Sequence, residues 1–324
     1  MATYQNAEFH GIVMYANDYR ERDQLIKIFT GEYGKKMFFI KNGKRRGMRL
    51  HSALLPFTVG TYVGNVNDQG LSFINAAKET AQLQQVRADI NKNAYATYIL
   101  GLIDAAFRDG QVVPDWFVKT RQALLLIDEG LDEQIITNII EIQLLQAFGV
   151  APELQRCAVC GRTDLPFDYS EKFGGLICAN HFDQDSHRLH LDARTIFYLR
   201  QFSVIDLNKI TTINVSPRTK RGLRRVLDLI YENSVGIHLR SKRFIDQMAT
   251  WEDQLAARGQ QLKQHHEAAR SQAAARAKKN QDDKLDETGL GGAEAVNPAK
   301  DSGNPPSDSL TRSSADDETR SPDQ

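Results

Sequence analysis

Five short stretches of strand-forming residues, most of them joined without an intervening helix, fill the first 80 residues of the chain. Clusters of Asn, Asp and Gly separate these stretches, as expected for turns between strands. A flat sheet of five short strands would leave two unpaired edges, whereas a small barrel closes on itself and has none. The pattern therefore predicts a five-stranded OB-fold barrel over residues 1–80. The predicted strands are 11–15, 24–29, 36–40, 52–64 and 71–74.

Residues 81–251 have the apolar spacing of helices instead. The clearest segment is 132–148, in which isoleucines and leucines recur at helical spacing and Asp132 can cap the start. Ser216 and Pro217 form a typical helix entry, with Ser as the cap. These signals predict an all-helical second domain, which together with the barrel gives an α+β fold. The predicted helices are 81–90, 94–109, 114–128, 132–148, 193–202 and 216–235.

The last part of the chain differs in composition from the rest. No Phe, Tyr or Trp follows Trp251, and Ala, Gln, Lys, Asp, Ser and Pro dominate. Such a segment buries too little apolar surface to offset the entropy of an ordered chain. Residues 252–324 are therefore predicted to form a low-complexity, disordered tail, with a frayed helix in the Ala-rich part and disorder from Asp282 onward.

Three cysteines and one histidine have the spacing of a structural zinc site. Cys157 and Cys160 enclose two residues, and after 17 further residues Cys178 and His181 enclose two more. Each tight turn aims two ligands at one point, and two such turns complete a tetrahedron. Four protein ligands leave no position for a catalytic water, so the predicted Zn²⁺ is structural. The knuckle is predicted as an insert at about 151–190 in the helical domain.

Two alternatives to this ligand set stay open. His187 or His190 could supply the fourth ligand in place of His181, although their spacing from Cys178 is looser than in the usual knuckle. The three thiols could also be ordinary buried side chains without a metal. An odd number of clustered cysteines does not resemble the disulfide framework of a secreted protein.

The formal net charge of zero conceals an uneven distribution. Residues 1–280 carry 37 basic and 30 acidic side chains, whereas 281–324 carry 4 and 11. The densest basic run lies between Glu32 and Asp68, where no acidic residue occurs. Because such a run attracts phosphate backbones of any sequence, we predict a nucleic-acid-binding strip along one edge of the barrel. Its members are Lys35, Lys36, Lys41, Lys44, Arg45, Arg46 and Arg49.

Aromatic residues near this strip could stack on unpaired bases. Strand alternation, however, sends one of Phe38 and Phe39 into the core. The four candidates are Tyr33, Phe38, Phe39 and Tyr62. A second basic cluster lies on the predicted helix 216–235, where helical spacing places three cations on one side. These cations, which could contact an acidic partner or DNA or could simply be solvated, are Arg218, Arg221 and Arg225.

Several fragments together resemble the N-terminal domain of the RecO family of bacterial recombination mediators. They are 11–14, 19–23, 29–30, 32–35, 54–57 and 76–79. The helical region interrupted by a Cys-x-x-Cys pair, a Gly-Gly pair and a further Cys is similar to the region that follows in the same family. The resemblance covers about residues 8–250 and is specific in the combination of its fragments.

The resemblance implies a non-enzymatic protein of DNA repair and RecF-pathway homologous recombination. Members of the family bind single- and double-stranded DNA with an OB-fold, anneal strands coated by single-strand-binding protein, and help to load RecA together with RecR. DNA binding is thereby assigned to the basic positions between Lys35 and Arg49, and the metal to Cys157, Cys160 and Cys178. His181 departs from the fourth Cys of many members. The acidic C-terminal tail of single-strand-binding protein is a further implied partner, for which the cluster around Arg218 is a candidate by charge alone.

Two other classes of function stay open, an RNA-binding OB-fold protein and a zinc-knuckle scaffold that binds only proteins. The sequence lacks the phosphate loop of an ATPase and the His-x-Glu with Pro-Cys-x-x-Cys of a zinc deaminase. It also lacks a signal-peptide pattern, and no apolar run approaches the ~18 residues of a membrane span. We therefore expect a cytoplasmic, nucleoid-associated protein that has no membrane partner and is not an enzyme.

Overall fold

The computed structural model describes residues 3–45 and 50–287 of the 324-residue chain. The chain divides into two compact units, one ending at Leu255 and one beginning at Ala256. The first unit contains the barrel, the helices and the cysteine knuckle described below. The described part of the second unit is the continuation of the last helix.

A closed barrel of five strands forms the N-terminal part of the first unit, as predicted. The strands are β1 (Thr3–Tyr19), β2 (Asp23–Thr30), β3 (Gly34–Ile40), β4 (Thr58–Asn67) and β5 (Ser72–Gln82). They neighbour one another in the order β1, β2, β3, β5, β4. Only β3 and β5 among these neighbours run parallel, and they pair Phe38 with Ser72 and Phe39 with Phe73. This parallel contact closes the OB-type barrel.

Alternate residues of the strands fill the barrel interior. Phe9, Phe38 and Tyr62 are fully buried, and the ring centroids of Phe38 and Tyr62 lie 5.4 and 6.0 Å from that of Phe9. The Tyr62 hydroxyl donates to the carbonyl of Ala53 at 2.7 Å. This bond satisfies the buried hydroxyl and ties the segment before β4 to the barrel core.

The predicted fourth strand, 52–64, begins too early. Residues Ser52–Leu54 form a 3₁₀ turn, and β4 starts only at Thr58. Phe57, which precedes it, has a φ of 64°, and this left-handed backbone conformation cannot continue an extended strand. The fifth strand reaches Gln82 rather than ending at 74, because its polar outer positions weaken the apolar pattern that marks a strand in sequence.

The helices lie close to their predicted positions. They are α1 (Gln84–Ala88), α2 (Ile90–Ala106), α3 (Pro114–Asp128), α4 (Glu133–Leu144), α5 (Ala193–Phe202), α6 (Pro217–Ile230) and α7 (Arg240–Glu287). Asp132 caps α4 by accepting from the amide of Ile135 at 3.1 Å, and Ser216 caps α6 in the same way. One apolar cluster joins barrel residues such as Ile12 and Phe29 to the helices. The outer wall of the barrel is therefore packed against the helical domain.

The cysteine knuckle lies between α4 and α5. Its core is a hairpin of β6 (Phe167–Ser170) and β7 (Gly175–Cys178), followed by a 3₁₀ turn at Ala179–Gln184. The register pairs Phe167 with Cys178. The hairpin thereby fixes Cys178 at the end of β7, and the knuckle as a whole is an insert in the helical domain.

The predicted tail, 252–324, begins inside α7, which continues to Glu287. Ala, Gln, Lys, Arg and Glu dominate this stretch and are strong helix formers, so local propensity accounts for the helix. The remainder of the predicted disorder, from 288 onward, lies outside the described residues. Among the helices that the structure describes, none combines the length and the apolar composition that crossing a membrane requires.

Candidate metal centre and nucleic-acid interface

Two turns bring the three cysteines and His181 to one place. The first is closed by the amide of Gly161, which donates to the carbonyl of Cys157 at 2.8 Å, and Gly161 has a φ of 73°. That conformation is accessible to glycine at little cost, which explains the glycine directly after Cys160. The second turn is the 3₁₀ segment after β7, and it returns His181 towards Cys178.

The four side chains lie close enough together to share one metal ion. The Sγ atoms of Cys160 and Cys178 are 3.7 Å apart, and the Nδ1 atom of His181 lies 3.6 Å from Cys157 Sγ and 3.3 Å from Cys178 Sγ. All four ligand atoms lie within 4.8 Å of one another. Zinc–sulfur bonds of about 2.3 Å in a tetrahedron require sulfurs about 3.8 Å apart. The cluster therefore has the spacing that a bound metal needs.

His181, rather than His187 or His190, belongs to this cluster. Around the sulfurs lies a small apolar cluster that includes Ile177 and the partly buried Phe167. Burial alone disfavours a thiolate, but amide groups of Cys160, Cys178 and Val159 donate to the Cys157 sulfur and lower its pKa to about 6. Since the thiolate is the form that binds metal, the backbone prepares this sulfur for coordination.

The predicted cationic strip is wrong at its first two positions. Lys35 is 2% exposed, and its Nζ atom donates to the carboxylate of Asp104 at 2.7 Å and to the Asp104 carbonyl at 2.6 Å. Lys36 is also buried and donates to the carbonyls of Asn67 and Asp68 at 2.9 and 3.0 Å. Both ammonium groups are thus engaged inside the protein and are not part of an exposed strip.

Lys27 on β2 joins Lys35 in this buried network, and we call these two residues the interface lysines. The Nζ atom of Lys27 lies 2.8 Å from Asp104 and 2.9 Å from Asp109. Burial opposes the charge on Lys27, but the hydrogen bonds to the two aspartates outweigh it and raise its pKa. Burial likewise opposes the Asp104 carboxylate, and the interface lysines lower its pKa. The network pairs charges of the barrel with charges at the end of α2.

The barrel and this part of the helical domain also meet through backbone. The amide of Gly110 donates to the carbonyl of Lys35 at 2.9 Å. Gly34, whose φ is 66°, lies so close to the carbonyl of Gln111 that a Cβ atom would be 2.1 Å from its oxygen. The start of β3 is therefore a packed junction, which explains why its lysines are buried.

The later cations of the strip are exposed. Lys41, Lys44 and Arg45 follow the end of β3 on the surface, and the Nζ atom of Lys44 lies 2.9 Å from the carboxylate of Asp18. Arg46 and Arg49 lie outside the described residues. Of the loop cations predicted to bind nucleic acid, the structure therefore describes Lys41, Lys44 and Arg45.

Two further cations, which sequence reasoning missed, lie beside this loop. Arg20 and Arg22 are exposed in the turn between β1 and β2. The amide of Lys44 donates to the carbonyl of Arg22 at 3.2 Å, and the amide of Asn42 donates to Asp23 at 2.9 Å. We call the resulting group the barrel-end cations. They are Arg20, Arg22, Lys41, Lys44 and Arg45.

The four aromatic candidates fall into different environments. Phe38 and Tyr62 are fully buried, so the structure excludes both as stacking faces. Phe39 is partly exposed and points away from Phe38, as strand alternation requires. Tyr33 is partly exposed in the turn between β2 and β3, at the end of the hairpin opposite to the barrel-end cations. Phe39 is therefore the one predicted aromatic that lies next to them.

The basic cluster on α6 is divided between the surface and the core. Arg218, Arg221 and Arg225 are exposed, as predicted. Arg224 turns inward, and its guanidinium donates twice to the fully buried carboxylate of Glu141, at 2.8 and 2.9 Å. The Coulombic attraction and hydrogen bonds of Glu141 outweigh burial and raise the pKa of Arg224. The three outward arginines remain a candidate contact surface.

Comparison with known proteins covers both parts of the first unit. Residues 1–82 match the family described as Recombination protein O N terminal, and 87–243 match Recombination protein O C terminal. A protein of Levilactobacillus brevis named DNA repair protein RecO is 56% identical over 248 residues, which are 76% of this chain and 95% of the relative.

Two more relatives carry the same name. That of Lactiplantibacillus plantarum is 56% identical over 250 residues, 77% of this chain and 97% of its own length. That of Pediococcus pentosaceus is 46% identical over 252 residues, 78% of this chain and 100% of its own length. The chain therefore belongs to the RecO family of DNA repair proteins.

Proposed function

We propose that this protein is a mediator of RecF-pathway homologous recombination that binds single- and double-stranded DNA and anneals complementary strands without being an enzyme. The observation that supports this proposal most directly is the convergence of the barrel-end cations on one end of an OB-type barrel. Lysine and arginine side chains bind phosphates regardless of sequence, and this suits a protein that must act wherever a strand is damaged.

Annealing sets a limit on how tightly each strand is held. A protein that binds one strand with many rigid contacts would prevent that strand from pairing with its complement. Exposed cations in a turn and a loop give a contact that weakens as salt rises and that can slide along the backbone. The interface lysines do not contribute, because their charges are already neutralised by Asp104 and Asp109.

The protein partners that we propose are based on membership of the family and on the exposed arginines of α6. We propose that the protein helps to load RecA together with RecR, in the cytoplasm and in association with the nucleoid. The outward arginines of α6 are the proposed contact for an acidic partner such as the C-terminal tail of single-strand-binding protein, or for DNA. Electrostatic complementarity of this kind mainly accelerates association and selects the partner. These arginines are Arg218, Arg221 and Arg225.

Zinc is the metal we propose for the cysteine cluster. Three thiolates and one imidazole are the ligands that Zn²⁺ prefers, and a filled tetrahedron acts as a crosslink rather than as a catalyst. Cys157→Ser should abolish the one zinc per chain that elemental analysis is expected to find, and should lower the melting temperature. His187→Ala is the matched control and should retain the metal. Retention of zinc by the Cys157→Ser protein would contradict the assignment.

Strand annealing tests the proposed function as a whole. The full chain should accelerate the pairing of complementary strands coated with single-strand-binding protein, in the absence of any nucleotide. Charge reversal at Lys44 and Arg45 should greatly slow this annealing, because two of the five barrel-end positions would then repel phosphate. Turnover of ATP in the assay, or annealing that the charge reversal does not slow, would contradict the proposal.

A further inference from the structure

Three aromatic side chains on the outside of the barrel, one each from β1, β3 and β5, form two successive ring contacts. Tyr19 ends β1, Phe39 lies near the end of β3, and Phe73 lies at the start of β5. The ring centroids of Tyr19 and Phe39 are 6.1 Å apart and those of Phe39 and Phe73 are 6.2 Å apart, with nearly perpendicular planes. We call these residues the aromatic row. The parallel pairing of Phe39 with Phe73, which closes the barrel, holds two of them side by side.

The aromatic row is open to solvent. Phe73 is 43% exposed, and Tyr19 and Phe39 are partly exposed. Leu71, two residues before Phe73, is a further exposed apolar side chain, with 38% of its surface accessible. A contiguous apolar patch costs solubility when it is left bare, and patches of this kind often mark binding surfaces.

Cations border the aromatic row. The guanidinium of Arg20 lies 5.2 Å from the ring centroid of Tyr19. Lys41 follows Phe39 by two residues, and the amide of Lys44 bonds to the turn that carries Arg22. The surface therefore combines flat apolar rings with the barrel-end cations. A ligand that matches both needs negative charge along its backbone and flat apolar groups beside it.

An unpaired nucleic acid strand has this combination of features. Its phosphates can contact the cations while its bases, which are free of a complementary strand, can stack on exposed rings. In a duplex the base faces are already stacked inside the helix, so a duplex can use the cations but not the rings. An apolar protein surface would match the rings but would gain nothing from the cations.

We propose that Tyr19, Phe39 and Phe73 stack on unpaired bases and thereby set the preference of the barrel for single strands over duplex. This inference rests on the proposed function, in which the barrel-end cations bind DNA. The cations supply the affinity that both forms of DNA share, and the aromatic row supplies the part that only the unpaired strand can use.

The test compares binding of an oligo-dT strand and of a duplex of equal length at several salt concentrations. The double variant Phe39→Leu with Phe73→Leu keeps apolar side chains on the barrel but removes two rings. Since stacking of one base on an aromatic ring is worth about 1–3 kcal/mol, the dissociation constant for the single strand should rise at least about tenfold. Duplex affinity and the salt dependence of both should stay within about twofold of the wild type.

Tyr4→Leu is the matched control. Tyr4 is 46% exposed and packs against Tyr33, with ring centroids 5.1 Å apart, at the other end of the β2–β3 hairpin. Removing this ring should leave both affinities unchanged. A second readout does not depend on losing affinity: in a Tyr19→Trp variant, the new indole should be quenched by the oligo-dT strand and much less by the duplex.

The outcomes separate this inference from the proposed function. If the wild type binds neither strand nor duplex, the proposed function fails. If the wild type binds both and the double variant loses both equally or neither, the inference fails while the proposed function stands. If DNA affinities are unchanged but binding to a protein partner is lost, the row is a protein-docking surface and the inference is overturned. A selective loss of single-strand binding supports it.

Discussion

The two halves of one basic segment behave in opposite ways. At the start of β3, Lys35 is buried and shares Asp104 with Lys27. Just past the end of the same strand, Lys41 and Arg45 are exposed. The residue types are similar, and fewer than a dozen positions separate them. What differs is the neighbour, because the start of the strand abuts the end of α2 and the other end opens into a loop.

This contrast teaches that cations have two separate roles in the barrel. The interface lysines hold the barrel against the helical domain, and the barrel-end cations face solvent, where phosphate can reach them. Removing one partner of a buried ion pair strongly destabilises a folded protein, whereas removing an exposed cation changes its stability little. The two roles should therefore be separable by mutation.

Removal of Asp104 should have the largest effect on stability. Asp104→Ala leaves Lys27 and Lys35 with much of their charge unpaired in a buried position, so the free energy of unfolding should fall by about 3 kcal/mol. Urea unfolding measures the change. Glu79→Ala, which removes an exposed carboxylate from β5, is the control and should stay within about 0.5 kcal/mol of the wild type. Equal stability of the two variants would show that the buried network is not structural.

A matched pair of lysine substitutions tests the contrast itself. Lys35→Met should lower the free energy of unfolding by about 1–2 kcal/mol, since Asp104 retains Lys27 and is partly exposed, and should leave DNA affinity unchanged below the melting temperature. Lys41→Met should do the reverse, with stability within about 0.5 kcal/mol of the wild type and weaker DNA binding. If Lys35→Met weakened DNA binding in a folded protein, the assignment of Lys35 to the junction would be wrong.

Acid should weaken the junction at a pH set by Asp104. The pKa of this carboxyl is lowered in the folded protein from its usual 3.8, so its contribution to stability is present above that value and is lost as the pH falls through the lowered folded value. The stability difference between the wild type and Asp104→Asn should therefore shrink below about pH 4. Urea unfolding at pH 7, 4.5 and 3 measures it. A difference that stayed constant over this range would mean that the Asp104 carboxyl has the same pKa in the folded and unfolded states, so that the interface lysines do not stabilise its charge.

The sequence predicted some features well because they depend on neighbours along the chain. Cys157, Cys160 and Gly161 form one tight turn, and Cys178 ends a strand of a short hairpin, so local spacing alone predicted the three cysteines. The choice of His181 over His187 needed the structure, because it depends on the 3₁₀ turn after β7. Capping by Asp132 is equally local and was confirmed.

Features that depend on distant neighbours could not be predicted in the same way. Lys35 is buried because of Asp104, which lies 69 residues later in the chain. Phe73 joins Phe39 only through the parallel pairing that closes the barrel. Arg22 was not predicted to bind nucleic acid, because the acidic residues Glu21 and Asp23 flank it and interrupt the run of positive charge. A run of like charges therefore indicated the correct region but not which of its members face solvent.

The dependence of single-strand binding on salt tests the central claim most directly. The slope of log affinity against log salt counts the phosphates that cations neutralise, at about 0.7 per contact for a single strand. The triple variant Lys41→Ala, Lys44→Ala, Arg45→Ala should reduce the slope by about 2. A control that removes three exposed cations of the helical domain should not change it; these are Arg87, Arg121 and Lys209. A slope in the triple variant equal to that of the wild type would contradict the account.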